Sequence, residues 1–229
     1  MKMYYTTVGI FKLKRRDKNN TYPMVILGGK ECQLDVQEMM IWSSLNWRIL
    51  NAAQLRAYYE EMEKNTDFIC SRSYEDALKR LITRGLVSVG IGESDEDALY
   101  NLISKLYIVP LYQSAFVRVI SFLRLALCFN VPYEKAKVLF QRDRKTKTEK
   151  RIMELAFSAP MSTAEMIKCV DKDIDFIISE DDVVEFLYDD ENVTSDTIAD
   201  VSRKLPSARE VMIAISNLYL RRQILFERI

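Results

Sequence analysis

The side chains that most often perform covalent chemistry are sparse in this sequence. Its 229 residues contain no His and four widely spaced Cys, at positions 32, 70, 128 and 169, with no CxxC pair. Without an imidazole there is no ready general base near neutral pH, and a zinc site needs clustered thiolate or imidazole ligands. The six Gly form no glycine-rich phosphate loop. We therefore predict a protein that is not an enzyme and that has no metal or cofactor.

One acidic stretch has part of the spacing of a calcium loop. Asp171, Asp173, Asp175 and Asp182 fall at positions one, three, five and twelve of such a loop. The sixth position needs Gly for a sharp turn, but here it is Phe176, and the twelfth lacks the longer bidentate Glu. The apolar residues on both sides of position 176 favour a strand, so the pattern does not predict calcium binding.

Charge is balanced over the whole chain but unevenly distributed. Lys and Arg together number 33, as do Asp and Glu. Residues 1–170 contain 26 bases and 19 acids, whereas residues 171–229 contain 7 bases and 14 acids. Any attraction to a polyanion must therefore come from the front of the chain.

The stretch from Ser73 to Gly90 organises the first part of the chain. Ser73 and Asp76 have the spacing of a capping box, and apolar residues then recur at helical spacing on one face. Gly85 is suited to end this helix, and a β-branched strand follows, with Gly90 and Gly92 placed to turn it into a hairpin. The order predicted is a capped helix followed by a β-wing.

Two further helices precede this one, the first opened by Asp35 and Glu38 and the second after Asn51. Three helices and a wing within about sixty residues resemble winged-helix DNA-binding domains. The resemblance implies that the last helix enters the major groove and that the wing contacts the backbone. The DNA-binding residues expected on this basis are Arg72, Ser73, Lys79, Arg80, Thr83, Arg84 and Ser88.

Two other basic stretches are candidates for contacts with phosphates. The first is the loop of an N-terminal β-hairpin, and the second is a basic connector near residues 137–151. Charge at the hairpin tip equally suits protection of an edge strand, and a charged linker equally suits solubility. The possible backbone contacts are Lys14, Arg15, Arg16, Arg144, Lys145 and Lys147.

The middle of the chain contains its most apolar segment. Ser94 and Asp97 are expected to open a helix, and the segment Ser114–Phe129 follows. That segment is too short for a bilayer about 30 Å thick and contains Arg118 and Arg124, so we predict a core helix or a homodimer contact, and no membrane span. The N-terminus lacks the long apolar run of an export signal, and we expect a cytoplasmic protein.

The C-terminal residues echo the first helix and strand. Ser195 is expected to cap a helix, Ser207 and Glu210 form a capping-box pattern, and apolar residues lead to a last strand. Aligning residues 77–81 with residues 214–218 places Arg84 over Arg221, and a slip of one residue superposes Leu86 on Ile224. The repeat predicts a second unit of the same kind.

We therefore predict an α+β protein, mainly α with short β-hairpins. It comprises a hairpin (1–33), a winged-helix-like unit (34–93), a helical connector (94–144) and a second, acidic unit (145–229). The expected function is a regulator that binds double-stranded DNA, with a plasmid-type replication initiator or a protein-interaction adaptor as alternatives. The DNA hypothesis requires that Lys79 and Arg80 are free of neighbouring carboxylates; otherwise the adaptor remains.

Overall fold

Helices and short antiparallel strands alternate along the chain in the computed structural model. The structure describes residues 1–17, 20–66, 72–111, 144–174, 177, 180–188 and 193–228. The strands are β1 (Lys2–Thr7), β2 (Ile10–Asp17), β3 (Asn20–Leu27), β4 (Lys30–Gln33), β5 (Leu50–Asn51), β6 (Val87–Gly92), β7 (Tyr107–Pro110), β8 (Met161–Ser162) and β9 (Ile224–Glu227). The helices are α1 (Val36–Leu45), α2 (Ala52–Lys64), α3 (Tyr74–Thr83), α4 (Asp95–Ile103), α5 (Lys147–Ser158), α6 (Thr163–Asp171), α7 (Glu180–Leu187), α8 (Ile198–Ser202) and α9 (Ala208–Leu220). The α+β class is confirmed.

The described strands form antiparallel sheets of three strands each. Their orders are β5-β1-β6, β2-β3-β4 and β8-β7-β9. In the first and the last of these sheets, the strand that comes first in the chain lies in the middle.

These two sheets belong to a structural repeat. In the first half (residues 2–92) a central strand is followed by the β2–β4 sheet and then by a helix, a two-residue strand, further helices and an edge strand. The described elements of the second half (residues 107–227) have the same order apart from that sheet. The strand registers match as well. The equivalent pairs are Tyr4–Asn51 with Tyr107–Ser162, and Thr7–Val87 with Pro110–Ile224. The two halves therefore have the same strand order and strand register.

Most helix starts follow the predicted capping chemistry. The predicted capping boxes at Asp35 and Ser94 are present, and Asn51 and Ser162 form others at the starts of α2 and α6. Ser73 caps α3 by accepting from the backbone N–H of residue 76, as predicted. Side-chain oxygens at these positions satisfy N–H groups that have no partner within the helix.

The predicted caps at Ser195 and Ser207 are wrong. Helix α8 begins at Ile198 after Thr197, and its N-cap residue makes no side-chain cap hydrogen bond. The residue before α9 is itself helical in conformation, so its hydroxyl donates to the carbonyl of Ile167 and to Asp171 instead. Tertiary contacts have replaced the local cap.

The predicted wing after α3 does not form. Strand β6 continues through Gly90 to Gly92 and pairs along its whole length with β1, from the start of the chain. Glycine is required because α4 lies against the strand: a Cβ on Gly90 would lie 2.1 Å from the carbonyl oxygen of Ala98. The expected helix order of the unit is present, but its strands are not those of a winged-helix hairpin. The expected N-terminal hairpin is β2–β3, extended by β4.

The two halves are in direct contact. One apolar core lies between α1, α2, α3 and β1, and a second combines the helices of the second half with residues of α4. The Tyr219 hydroxyl hydrogen-bonds with Thr6 and Thr7 at 2.9 Å, and Gly9 N donates to the carbonyl of Phe226 at 2.8 Å. The predicted dimer segment 114–129 lies outside the described residues.

Candidate binding surfaces

A buried carboxylate joins the first and last described helices of each half. Glu38 accepts from Arg80 Nε at 3.2 Å and from Arg84 Nη1 at 2.8 Å, and Glu149 accepts from Arg221 Nη1 at 3.2 Å. Both glutamate side chains are about 1% exposed and occupy the third position of their helices, where the side chain also completes a capping box. Because a buried charge must be paired, these arginines have a structural role within their half.

The same contacts correct the predicted alignment of the repeat. Arg84 and Arg221 are equivalent, as the sequence pattern indicated. In each half the residue two positions after this arginine donates its backbone N–H to the helix, Leu86 to Leu81 and Gln223 to Leu218. No slip is needed, and Leu86 aligns with Gln223.

Most of the basic residues predicted to contact DNA from α3 are engaged within the first half. Arg72 forms an ion pair with Asp35, and Arg84 donates to the carbonyl of Gln33 at 2.6 Å in addition to its pair with the buried carboxylate. Arg80 shares that carboxylate. These arginines therefore do not form a free basic patch.

The polar residues of the predicted α3 surface differ in their accessibility. The Ser73 hydroxyl donates to Asp76 while it caps the helix. Ser88 is 3% exposed and donates to the carbonyl of Leu102, so its predicted contact with DNA is wrong. Lys79 and Thr83 are exposed.

Charges on and around α3 cancel. The segment 72–84 contains four bases and the acids Glu75 and Asp76, and Asp35 and Glu38 supply two further carboxylates. Glu75 in turn pairs with Arg56. The surface is a network of paired charges, which is a weak attractant for a polyanion.

The hairpin β2–β3 carries exposed bases. Lys12 and Arg15 are exposed, and Lys14 is exposed and paired with Glu31. The side chain of Arg16 lies outside the described part of the structure. Leu13, between them, is 65% exposed.

The remaining predicted backbone contacts lie where α5 begins. Arg144 and Lys147 are exposed and Lys145 is partly buried. They belong to the second half of the chain, whereas the hairpin belongs to the first. They therefore form a separate basic region.

Helix α9 presents apolar side chains where α3 presents polar ones. With Arg84 aligned on Arg221, Asp76 corresponds to Ile213 and Thr83 to Leu220. Ile213 is 54% exposed and Leu220 is 51% exposed. Sequence reasoning missed these two residues. Their seven-residue spacing, off the face that packs into the core, was the available signal.

A cleft of about 490 Å³ runs between α4 and α9, next to these residues. Its apolar lining includes Leu99, Met212 and Ile213. Two ion pairs stand at its rim. They are Asp97 with Arg203, and Glu96 with Arg209 at 3.3 Å. The cleft thus combines an apolar floor with charges of both signs.

Two buried groups are chemically inert. Burial raises the pKa of the Cys169 thiol to about 12, so the thiol stays protonated at neutral pH and is not a nucleophile. Burial also raises the pKa of Tyr100 to about 12, and its hydroxyl donates to the carbonyl of Ala199. Both groups have structural roles.

Comparison with known proteins finds no family model, no curated protein and no solved structure that matches this chain. Among the described residues, no helix has both the length and the apolar character needed to cross a membrane. The functional argument therefore depends on the surfaces themselves.

Proposed function

We propose that the protein is a non-enzymatic protein-interaction adaptor that binds an amphipathic helix of a partner protein in the cleft between α4 and α9. The observation that carries the proposal is the replacement of Asp76 and Thr83 in the first half by Ile213 and Leu220 in the second. Exposed apolar residues grouped beside a cleft are typical of protein-binding surfaces.

The shape and charge of the cleft favour a helical partner. Ile213 and Leu220 are two turns apart on α9 and extend the apolar lining beyond the cleft. A partner helix with apolar residues at positions i, i+3 or i+4, and i+7 matches such a row. Exposed ion pairs contribute little to stability, so those of Arg203 and Arg209 can exchange for charges on the partner.

The alternative of DNA recognition by α3 is less well supported. It required Lys79 and Arg80 to be free of carboxylates, but Arg80 shares the buried Glu38 with a second arginine. The charges of that helix and its neighbours cancel. A neutral surface gives no electrostatic attraction to phosphates.

Photo-cross-linking in the cell that makes the protein tests the proposal. A photoreactive amino acid is placed at Ile213 or Leu220, and at Asp76 or Thr83 as matched positions in the other half. We expect a protein adduct from the α9 positions only, with the cross-linked segment of the partner forming an amphipathic helix. A synthetic peptide of that segment should bind the full chain, and I213S/L220S should bind it at least about tenfold more weakly.

Three results would overturn the proposal. They are equal cross-linking from α3 and α9, no protein adduct from either, and an adduct between two copies of this chain. The last result would make the cleft a homodimer interface. The variant I213S/L220S must keep the unfolding midpoint of the wild type, so that lost binding reports on the surface alone.

A further inference from the structure

The outer part of the β2–β3 hairpin projects from the fold as a two-stranded ribbon. Residues 12–17 and 20–23 are here called the ribbon. Strand β4 pairs with β3 only from Met24 to Leu27, so the paired residues from 13 to 17 have partners only among residues 20–23, and Lys12 pairs with Met24 at the base of the ribbon. Core contacts end at its base, where Phe11 stacks on Trp42 with ring centroids 5.6 Å apart. Beyond that point Leu13 is 65% exposed.

The ribbon concentrates positive charge in a neutral protein. Its ten residues include four bases and one acid, Asp17, so the ribbon has a net charge of +3 and the rest of the chain has a net charge of −3. The bases are Lys12, Lys14, Arg15 and Arg16. Lysine on an edge strand also prevents edge-to-edge pairing. Edge protection does not require that four bases lie within ten residues.

The described bases of the ribbon can be reached from solvent. Lys12 and Arg15 are exposed and have no carboxylate in ion-pair range among the described residues. Lys14 pairs with Glu31, but both side chains are about half exposed, and such a pair is weak enough to exchange for a phosphate. Since alternate residues of a strand point to opposite faces, Lys12 and Arg15 lie on opposite faces of the ribbon.

We propose that the ribbon is a nucleic-acid-binding arm that contacts the phosphate backbone of double-stranded DNA. The major groove is about 12 Å wide and admits a two-stranded β-ribbon. Bases on both faces would then meet the phosphates on either side of the groove, while Thr21 and Tyr22 on the paired strand supply hydroxyl groups. This arm is separate from the α4–α9 cleft and adds a second partner to the proposed adaptor.

Salt-dependent binding to a short duplex tests the arm. The full chain, K12Q/R15Q and the control K64Q/K105Q are compared by fluorescence anisotropy between about 50 and about 200 mM NaCl. The control removes the same charge from two exposed sites elsewhere, Lys64 at the end of α2 and Lys105 two residues after α4. We expect K12Q/R15Q to bind at least tenfold more weakly, with the slope of log K against log salt reduced by about 2. We expect the control to stay within twofold.

Equal losses in the two double variants would overturn the proposal, because they would show a general charge effect. So would the absence of duplex binding by the full chain. Vesicles of phosphatidylserine are the second probe, since Leu13 lies among the bases. Binding to vesicles but not to the duplex, abolished by L13S, would make the ribbon a membrane contact instead. Cross-linking at Ile213 in K12Q/R15Q should be unchanged, which separates this test from that of the cleft.

Discussion

The last helices of the two halves, α3 and α9, occupy equivalent places but face solvent with different chemistry. In each half an arginine ion-pairs with a buried glutamate on the first described helix, Arg84 with Glu38 on α1 and Arg221 with Glu149 on α5. Outside that contact α3 is covered with paired charges, whereas α9 exposes large apolar side chains. The buried ion pair and the strand register are common to both halves. The solvent-facing surface of the last helix differs between them and can therefore serve a separate function in each half.

We expect the largest change in stability when the buried ion pair of either half is broken. R221M removes the one cation that pairs with Glu149 among the described residues, and we expect a loss of about 3 kcal/mol in the free energy of unfolding. R84M should cost less, because Arg80 still pairs with Glu38. Urea denaturation measures both. Equal losses would mean that Arg80 does not compensate for the loss of Arg84.

The contact of β6 with α4 distinguishes the first half from the second. We expect G90A to lose about 3 kcal/mol in unfolding free energy, because the added Cβ would meet the backbone of α4, which cannot yield as a side chain could. The equivalent residue of β9 is Glu227, and E227A should cost less than about 1 kcal/mol. Thermal or urea unfolding measures the difference. A tolerated G90A would show that the helix moves away.

The residues that follow Arg84 and Arg221 both adopt a left-handed backbone conformation. In the first half this residue is Gly85, with φ 75°, and in the second it is Arg222, with φ 59°. A side chain at such an angle costs about 1 kcal/mol, so R222G should raise the free energy of unfolding by up to that amount. G85A should lower it. A destabilised R222G would show that the arginine side chain contributes a contact that outweighs the strain.

Acid should affect the two helix caps differently. Burial opposes ionisation of Asp35, but the Glu38 backbone N–H and Arg72 outweigh it and lower the pKa of Asp35 overall. A lowered folded-state pKa gives stability above the unfolded-state value of about 3.9, and this stability is lost as pH falls through the folded-state pKa. D35N should therefore lose less stability than the wild type below about pH 4, by under about 1 kcal/mol. The equivalent Thr146 does not titrate, so T146S should leave that acid slope unchanged.

The smallest expected effect concerns Lys79. This side chain is exposed on α3, but the charges around it cancel, so K79Q should leave duplex affinity within about twofold of the wild type. The anisotropy assay used for the ribbon measures it. A loss as large as that of K12Q/R15Q would return DNA binding to α3.

Local chemistry could be predicted from the sequence, and distant pairing could not. Caps such as Asp35 and Ser94 were predicted correctly because donor and acceptor lie three residues apart. The wing was wrong because glycine serves equally for a turn and for close approach, and the partner of β6 is a strand from 80 to 90 residues earlier. No local pattern indicates such pairing.

The candidate surfaces show the same limit. The equivalence of Arg84 and Arg221 was visible as a repeat, but their buried partners lie 46 and 72 residues away in sequence. Without those partners, the arginines of α3 could be mistaken for free DNA-binding groups. The row on α9 was missed because the apolar pattern was used only to find the core face of the helix, and Ile213 and Leu220 lie off that face.

The order of the strands has a consequence for synthesis on the ribosome. In each half the strand translated first becomes the middle of its sheet, and the last of its neighbours is translated last; Thr7 must wait for Val87 and Lys2 for Gly92. At about 5–20 residues per second the nascent β1 stays without that neighbour for roughly 4 to 18 s. One edge of β1 can pair with β5 before then, but the other edge has no partner strand until β6 is synthesised, so we expect the speed of translation to influence the folding yield.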